Sequence, residues 1–256
     1  MGDLVTEAFL EMHFARALAD LFASVYGARF LRLWKPSPNG ETYVGFDQGW
    51  VRHSGDADAF ESAIRNAITT QATTVSTFYV GYFMQFKRVH QMLRTSKFTA
   101  TTISGEHFRV EVDLEPSPTT GLSQHDTLIR LAGIHGADVS YACGMIFDAG
   151  AIYDTPDLTK LRIVPVDAPV LQARAQWQAG GRHFIEFQNE TSQPIWCSEP
   201  VLGRALSPEE WARELRRLRP QEVLALLEAA REVLGVRQRL APYLTVLEFE
   251  VGEADG

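Results

Sequence analysis

A chain of 256 residues, 45% of them apolar, is long enough to bury a sizeable core in one large domain or in a domain with a small appendage. Its formal charge of −8 argues against a general nucleic-acid binder, whose domain is normally basic, but not against an enzyme that gathers its cations in one cleft or borrows a partner's. No basic segment leading into an apolar run opens the chain and no stretch approaches ~18 apolar residues, so the sequence predicts a cytoplasmic protein without a membrane span.

In chain order, Asp3 to Tyr26 shows helical periodicity in two apolar stripes. Val5, Phe9 and Met12 make one; Leu10, Phe14, Leu18 and Leu21 make the other. Gly27 is a natural stop. Glu7 and Glu11 lie beside the second stripe at i, i+4 spacing, where a helix start favours acids. Phe30 to Trp34 reads as a strand, Pro36 to Gly40 as a turn, and Thr42 to Val51 as a second strand, together a hairpin. Asp47 sits in the middle of that second strand, where Asp is depleted, either capping a strand end at Gly49 or serving a site. His53 to Thr77 is polar and Thr-rich with a helical patch around Phe60 to Ile68, and reads as a surface excursion.

Tyr79 to Val89 is apolar, aromatic and β-branched, the composition of a strand buried on both faces. It nevertheless carries Gln85 and Lys87, whose period-2 spacing points them to the same side. Burying an amide without a partner costs on the order of 2–7 kcal/mol, and an ammonium more. Such a pair in such a strand marks a candidate site. A short basic run follows: Arg88, His90, Arg94 and Lys97, read either as a solvated helix start or as contacts to a phosphate backbone.

Further along, Phe108 to Leu114 reads as a strand, and Ser123 as the cap of a helix through Leu131. Asp138 to Phe147 is another buried strand, Leu161 to Val166 an edge strand that tolerates Pro165, and His183 to Phe187 a shorter strand. This alternation points to an α/β core. After residue 200 helix formers and charge take over. Ser207, Pro208 and Glu210 form a capping box, and the helix they open carries Arg213, Arg216, Arg217 and Arg219, either a solvated face or a docking surface for a partner. A second helix spans about Gln221 to Leu234 and ends at Gly235. Cys143 and Cys197 read as reduced core residues.

An acidic helix, Asp47 on a strand and Gln85 with Lys87 on another make chemical sense together. A hard cation such as Mg²⁺ takes oxygen ligands, which Asp47 and the Gln85 carbonyl supply, joined by Glu7 or Glu11. Lys87, one pleat from Gln85, reaches the same spot, where it can orient an attacking water and stabilise charge developing on a phosphate. Gly45-Phe46-Asp47 and Gln85-Phe86-Lys87 resemble the two motif halves of the PD-(D/E)xK superfamily of restriction-endonuclease-like phosphodiesterases, in the variant where Gln replaces the second acid. The match covers roughly residues 3 to 150.

That resemblance implies an α/β fold, a mixed sheet flanked by helices, over residues 1–200, with residues 201–256 as a helical C-terminal extension. It implies Mg²⁺- or Mn²⁺-dependent cleavage of nucleic acid, with DNA the expected substrate, and a role in defence against foreign DNA. A catalytically inactive subunit on the same fold is the rival expectation. The acidic charge adds the expectation of a protein partner, an ATPase or DNA-binding subunit, or a homo-oligomer. Other chemistry has little footing: His107, His125, His135 and His183 are scattered, no CxxC or HxxxH pair occurs, and no glycine loop has phosphate-cradling context.

Overall fold

The computed structural model describes residues 5–36, 42–46, 49–53, 62, 65–66, 77–97, 99–116, 121–166, 183–197, 200–234 and 244–251. The helices are α1 (Glu7–Tyr26), α2 (Gln124–Ala132), α3 (Pro208–Glu214) and α4 (Pro220–Leu234). The strands are β1 (Ala28–Pro36), β2 (Thr42–Phe46), β3 (Gly49–His53), β4 (Thr77–Arg88), β5 (His90–Met92), β6 (His107–Val112), β7 (Val139–Gly144), β8 (Leu161–Pro165), β9 (His183–Phe187), β10 (Ile195–Cys197), β11 (Val201–Leu202) and β12 (Leu244–Val251). The fold is mixed α/β, with two mostly antiparallel sheets flanked by helices: seven strands in the order β3-β2-β1-β12-β4-β7-β8, and five in the order β11-β10-β9-β6-β5. Among the described residues no helix is long and apolar enough to cross a membrane.

The chain divides into two compact units. The first comprises Met1–Leu18, Gln85–Ile129 and Ser140–Trp211; the second comprises Ala19–Met84, Arg130–Val139 and Ala212–Gly256.

In the second unit β12 lies between β1 and β4 and pairs antiparallel with both, Phe249 opposite Phe30 on one side and Phe78 on the other. Phe78, Phe249, Tyr26 and Phe30 make an aromatic cluster with centroids 5.3 to 5.9 Å apart. The Tyr26 hydroxyl donates to the Ala212 carbonyl at 2.8 Å. Burial pushes its pKa up to about 12, against the lowering charge of Arg217, so it stays a neutral donor. Gly81 on β4 leaves room for Leu218 and Leu226, whose nearest methyls lie 3.4 and 3.5 Å from where a Cβ would stand. That close approach seats α4 on the strand.

In the first unit Leu10 and Phe14 of α1 are fully buried, and the Leu10 side chain fills the space that a Cβ on Gly144 of β7 would need, 2.8 Å away. Of the two predicted stripes on α1, the Leu10–Phe14–Leu18 one faces the core and continues to Phe22, whereas Phe9 and Met12 are exposed. Ser123 caps α2 with Asp126 as reciprocal partner: Asp126 N–H donates to Ser123 Oγ at 3.0 Å, and Ser123 N–H to Asp126 Oδ2 at 3.1 Å. The predicted box at α3 is present in the same form, Ser207 N–H to Glu210 Oε2 at 2.8 Å and Glu210 N–H to Ser207 Oγ at 3.2 Å.

Several sequence expectations are corrected. The single strand expected over 42–51 is two strands, β2 and β3, with Phe46 opposite Gly49. Of the helical patch expected at 60–68, Ser62, Arg65 and Asn66 are described and are helical. The helix opened by Ser207 ends at Glu214, so Arg216, Arg217 and Arg219 lie beyond it. The physical reason is a long-range pairing with a local contribution: Leu218 exchanges both backbone hydrogen bonds with Tyr79 of β4, at 2.7 and 2.8 Å, and Pro220 disfavours helical backbone at Arg219. The two helices expected after residue 200 are present as α3 and α4, but the chain then returns to the sheet as β12.

Phe249 is fully buried in that returning strand. Phe249→Ala is expected to cost about 3–5 kcal/mol, read by denaturant unfolding. Truncation after Gly235 removes the strand that joins β1 to β4, and should abolish the cooperative thermal transition. A truncated chain that melts like the full one would make the C-terminal segment dispensable.

Candidate functional site

Thr6 caps α1: its side-chain oxygen accepts the Phe9 N–H at 3.3 Å, and its carbonyl accepts the Leu10 N–H at 3.1 Å. Glu7 therefore stands in the first helical turn, where the unpaired N–H groups and the helix dipole favour a carboxylate. Between its two half-buried ends, β4 is buried except at Gln85, which is half-buried, while Lys87 is 6% exposed.

The Glu7 carboxylate bridges the two strand residues. Lys87 Nζ lies 3.1 Å from Glu7 Oε1, and Gln85 Nε2 donates to Glu7 Oε2 at 3.0 Å and to the Phe86 carbonyl at 3.0 Å. The orientation of the Gln85 amide is assigned from this pattern of acceptors. The Glu7 side chain is 39% exposed, so water reaches one side of the cluster while the ammonium is nearly enclosed. Of the sequence-predicted residues, then, Glu7, Gln85 and Lys87 come together. Glu11, one turn on, is half-buried, and Asp47 lies outside the described residues.

The groups around Lys87 carry little charge near neutral pH. Burial pushes the Cys143 thiol up to about 12, against the lowering charges of Lys87 and Arg162, so it is a neutral thiol at pH 7. Burial pulls His125 down to about 4, with Asp126 opposing and the positive charges of His183 and Lys87 adding to the fall. Its Nδ1 is 2.9 Å from the Tyr141 hydroxyl, and both rings pack with Trp196.

Among the described residues no group of three or more His, Cys, Asp or Glu is placed to hold a metal ion. The oxygen donors present are the Glu7 carboxylate and the Gln85 amide oxygen, hard donors of the kind Mg²⁺ and Mn²⁺ take. To offer its oxygen beside Glu7, the Gln85 amide would give up its two donated hydrogen bonds. Among the described residues this donor set is one carboxylate and one amide oxygen.

The basic run does not start a helix. Arg88 ends β4 half-buried, His90 is exposed on β5, and Arg94 and Lys97 are exposed in the connection to β6. Burial and the Arg88 charge lower the His90 pKa, against Glu111, so it adds no cation at pH 7. Further down the chain, Arg216 and Arg219 share Glu222, at 3.3 and 3.4 Å, and Arg217 lies over the rings of Tyr26 and Phe78 at 5.0 and 4.9 Å.

A second buried charged cluster escaped the sequence reading. Arg109 on β6 faces Glu186 on β9, donating from Nε at 2.8 Å and from Nη2 at 2.6 Å to Glu186 Oε1. Glu186 Oε2 accepts the Ala100 N–H at 2.9 Å and the Cys197 thiol at 3.4 Å. Burial and the adjoining Glu186 charge push that thiol up to about 12. Arg109 also holds Thr99 Oγ1 at 2.8 Å and stacks on Phe184 at 4.3 Å. The signal that could have found it is the one that singled out Lys87: a charged residue at an inward position of an apolar strand.

Removing one partner of the Glu7–Lys87 pair should be asymmetric. Glu7→Ala leaves the enclosed ammonium uncompensated and is expected to cost about 1–3 kcal/mol, reduced by the exposure of Glu7; Lys87→Met is expected to be neutral or stabilising. Equal losses for both in denaturant unfolding would contradict this. His125 gives a pH test. Its folded pKa is depressed, so its contribution is fully present above the unfolded value near 6.5 and lost as pH falls towards about 4. Relative to His125→Gln, the wild type should lose about 3 kcal/mol of stability across that window. Compared with known proteins, the chain matches no family model, no curated protein and no solved structure.

Proposed function

We propose that this chain is a Mg²⁺- or Mn²⁺-dependent phosphodiesterase that cleaves nucleic acid, with DNA as substrate, on a restriction-endonuclease-like arrangement of the PD-(D/E)xK kind. The observation that carries the reading is the assembly of Glu7 from the first turn of α1 with Gln85 and Lys87 on β4, side chains 78 positions apart in the chain at their nearest. An oxygen-donor pair beside an enclosed ammonium is a costly arrangement for a strand that could have been apolar throughout.

The residues that would hold the cation are Asp47, Glu7 and Gln85. Bound there, it would supply Lewis-acid activation of a phosphodiester and of water. Lys87 keeps an ammonium at the edge of this donor set, positioned to stabilise negative charge developing on a phosphate oxygen. With the Cys143 thiol and the His125 ring neutral, Glu7 is the close counter-charge of Lys87. Arg88, at the end of β4, and Arg94 and Lys97, in the connection from β5 to β6, would be contacts for the nucleic-acid backbone.

The acidic net charge makes these contacts few, so engagement of DNA is assigned to a partner: an ATPase, a DNA-binding subunit or a second copy of the chain. A cytoplasmic effector nuclease of a bacterial defence system fits this division of labour. A second reading, a non-catalytic subunit on the same scaffold, has its own support. Both oxygens of Glu7 already accept from nitrogen donors, and β2, the strand that leads into Asp47, is separated from β4 by β1 and β12.

The two readings part in one assay. The nuclease reading expects cleavage of plasmid, linear DNA or RNA in Mg²⁺ or Mn²⁺, lost in EDTA, and abolished by Lys87→Met and Asp47→Asn with thermal stability retained. It also expects Gln85→Glu to tighten Mn²⁺ binding in calorimetry, since a carboxylate replaces a neutral ligand. No cleavage, together with Mn²⁺ affinity that is indifferent to Asp47, Glu7 and Gln85, would select the non-catalytic subunit.

A further inference from the structure

We propose that Arg162 of β8 is the second cation of the Lys87 site, and that the two together hold a phosphoryl oxyanion. Under the phosphodiesterase reading above, on which this rests, that anion is a backbone phosphodiester of the substrate.

The sheet sets the two cations in one row. β7 lies between β4 and β8 and is hydrogen-bonded to each, and its Cys143 stands directly opposite Arg162. On its other side the Asp138 carbonyl accepts the Phe83 N–H of β4 at 2.7 Å. Tyr79, four residues before Phe83 and so facing the same edge, gives its N–H and carbonyl to Leu218. β7 therefore cannot run back along β4 and runs forward with it, beside Gln85 and Lys87. In a parallel ladder the residue that donates to one carbonyl stands opposite the residue after it. Phe83 thus faces Val139, and Lys87 faces Cys143. Residues paired across strands share a face, and strands lie about 4.8 Å apart, so the α-carbons of Lys87 and Arg162 are about 10 Å apart with a cysteine between them. Their long side chains can close that gap above the small one. The Cys143 thiol accordingly feels the charges of both, and of Glu7.

Arg162 is half-buried, and its Nε is enclosed without a hydrogen-bond partner among the described residues. An enclosed guanidinium N–H that lacks an acceptor carries a free-energy cost that a ligand oxygen removes. The carboxylate beside the row, Glu7, is already engaged by Lys87 and Gln85. Two cations against one carboxylate leave a local positive charge in a chain of −8.

The pairing of residue types selects the anion. A guanidinium fork takes two oxygens in one plane, and an ammonium acts as a point charge from another direction. A tetrahedral phosphate presents oxygens to both at once, whereas a carboxylate spends its two on the fork.

The test is a phosphorus-31 NMR titration in EDTA at constant ionic strength. The probes are inorganic phosphate and thymidylyl-(3′,5′)-thymidine, whose one phosphate is an internal diester, with acetate as competitor. Arg162→Met should weaken binding on the order of tenfold, and Arg162→Lys, which keeps the charge but loses the fork, by less. Without anion, Arg162→Met should melt at or above the wild-type temperature, because an orphaned donor has gone. Arg162-dependent binding of either probe supports the site, and the tighter probe distinguishes a backbone diester from free phosphate. Affinity indifferent to Arg162→Met, no binding of either probe, or displacement by acetate at equal concentration overturns it. Cleavage is assayed separately. Arg162-dependent binding with no cleavage in any metal would remove the phosphodiesterase reading and leave the anion site, whereas metal-dependent cleavage that Arg162→Met leaves at wild-type KM and kcat would do the reverse.

Discussion

An ammonium enclosed in an apolar strand must have a counter-charge at hydrogen-bond distance, and Lys87 is such an ammonium. Glu7 answers that requirement from the N-terminal turn of α1, with Thr6 capping the helix behind it. The placement is fixed a second time by packing, because Leu10, one turn along, fills the space that Gly144 leaves above β7. Charge pairing, helix capping and a missing Cβ thus agree on where the helix starts. Such agreement between independent constraints holds a cluster of polar side chains in one geometry.

The two charge clusters of the first unit differ in how they are closed. Glu186 spends its oxygens on Arg109, on a backbone N–H and on a thiol, all within a fully buried pocket. Its work is to tie β6, β9, β10 and the segment before β6 together, and no side of it faces water. Glu7, by contrast, holds Lys87 and Gln85 while 39% of its side chain remains exposed. A carboxylate with an open side can exchange its partners for a ligand; one with every lone pair enclosed gains nothing by doing so.

Charge is distributed to the same effect. With −8 overall, each surface cation carries weight, and several arginines are committed within the fold. Arg216 and Arg219 share Glu222, and Arg217 covers Tyr26 and Phe78, stabilising the second unit's aromatic core more than it advertises a docking surface. Arg94 and Lys97 are exposed in the segment that follows β5, with the exposed Leu93 before them.

What the sequence determined by itself were the local features whose causes are local. The α1 stop at Gly27, the caps at Ser123 and Ser207, the extent of β4 and the inward pairing of Gln85 with Lys87 all follow from periodicity, capping chemistry and steric preference over a few residues. Tertiary structure decided what lies far apart in the chain. It selected Glu7 to bridge the strand pair, and it joined Arg109 to Glu186 across β6 and β9. It ended α3 at Glu214, because the Leu218 backbone found better partners on Tyr79 than another turn of helix would offer. It also brought Leu244–Val251 back between β1 and β4, where Phe249 completes the aromatic core. Eight residues with strand alternation after two helices look like a tail; only the open edges of β1 and β4, formed some two hundred residues earlier, give them a place to pair.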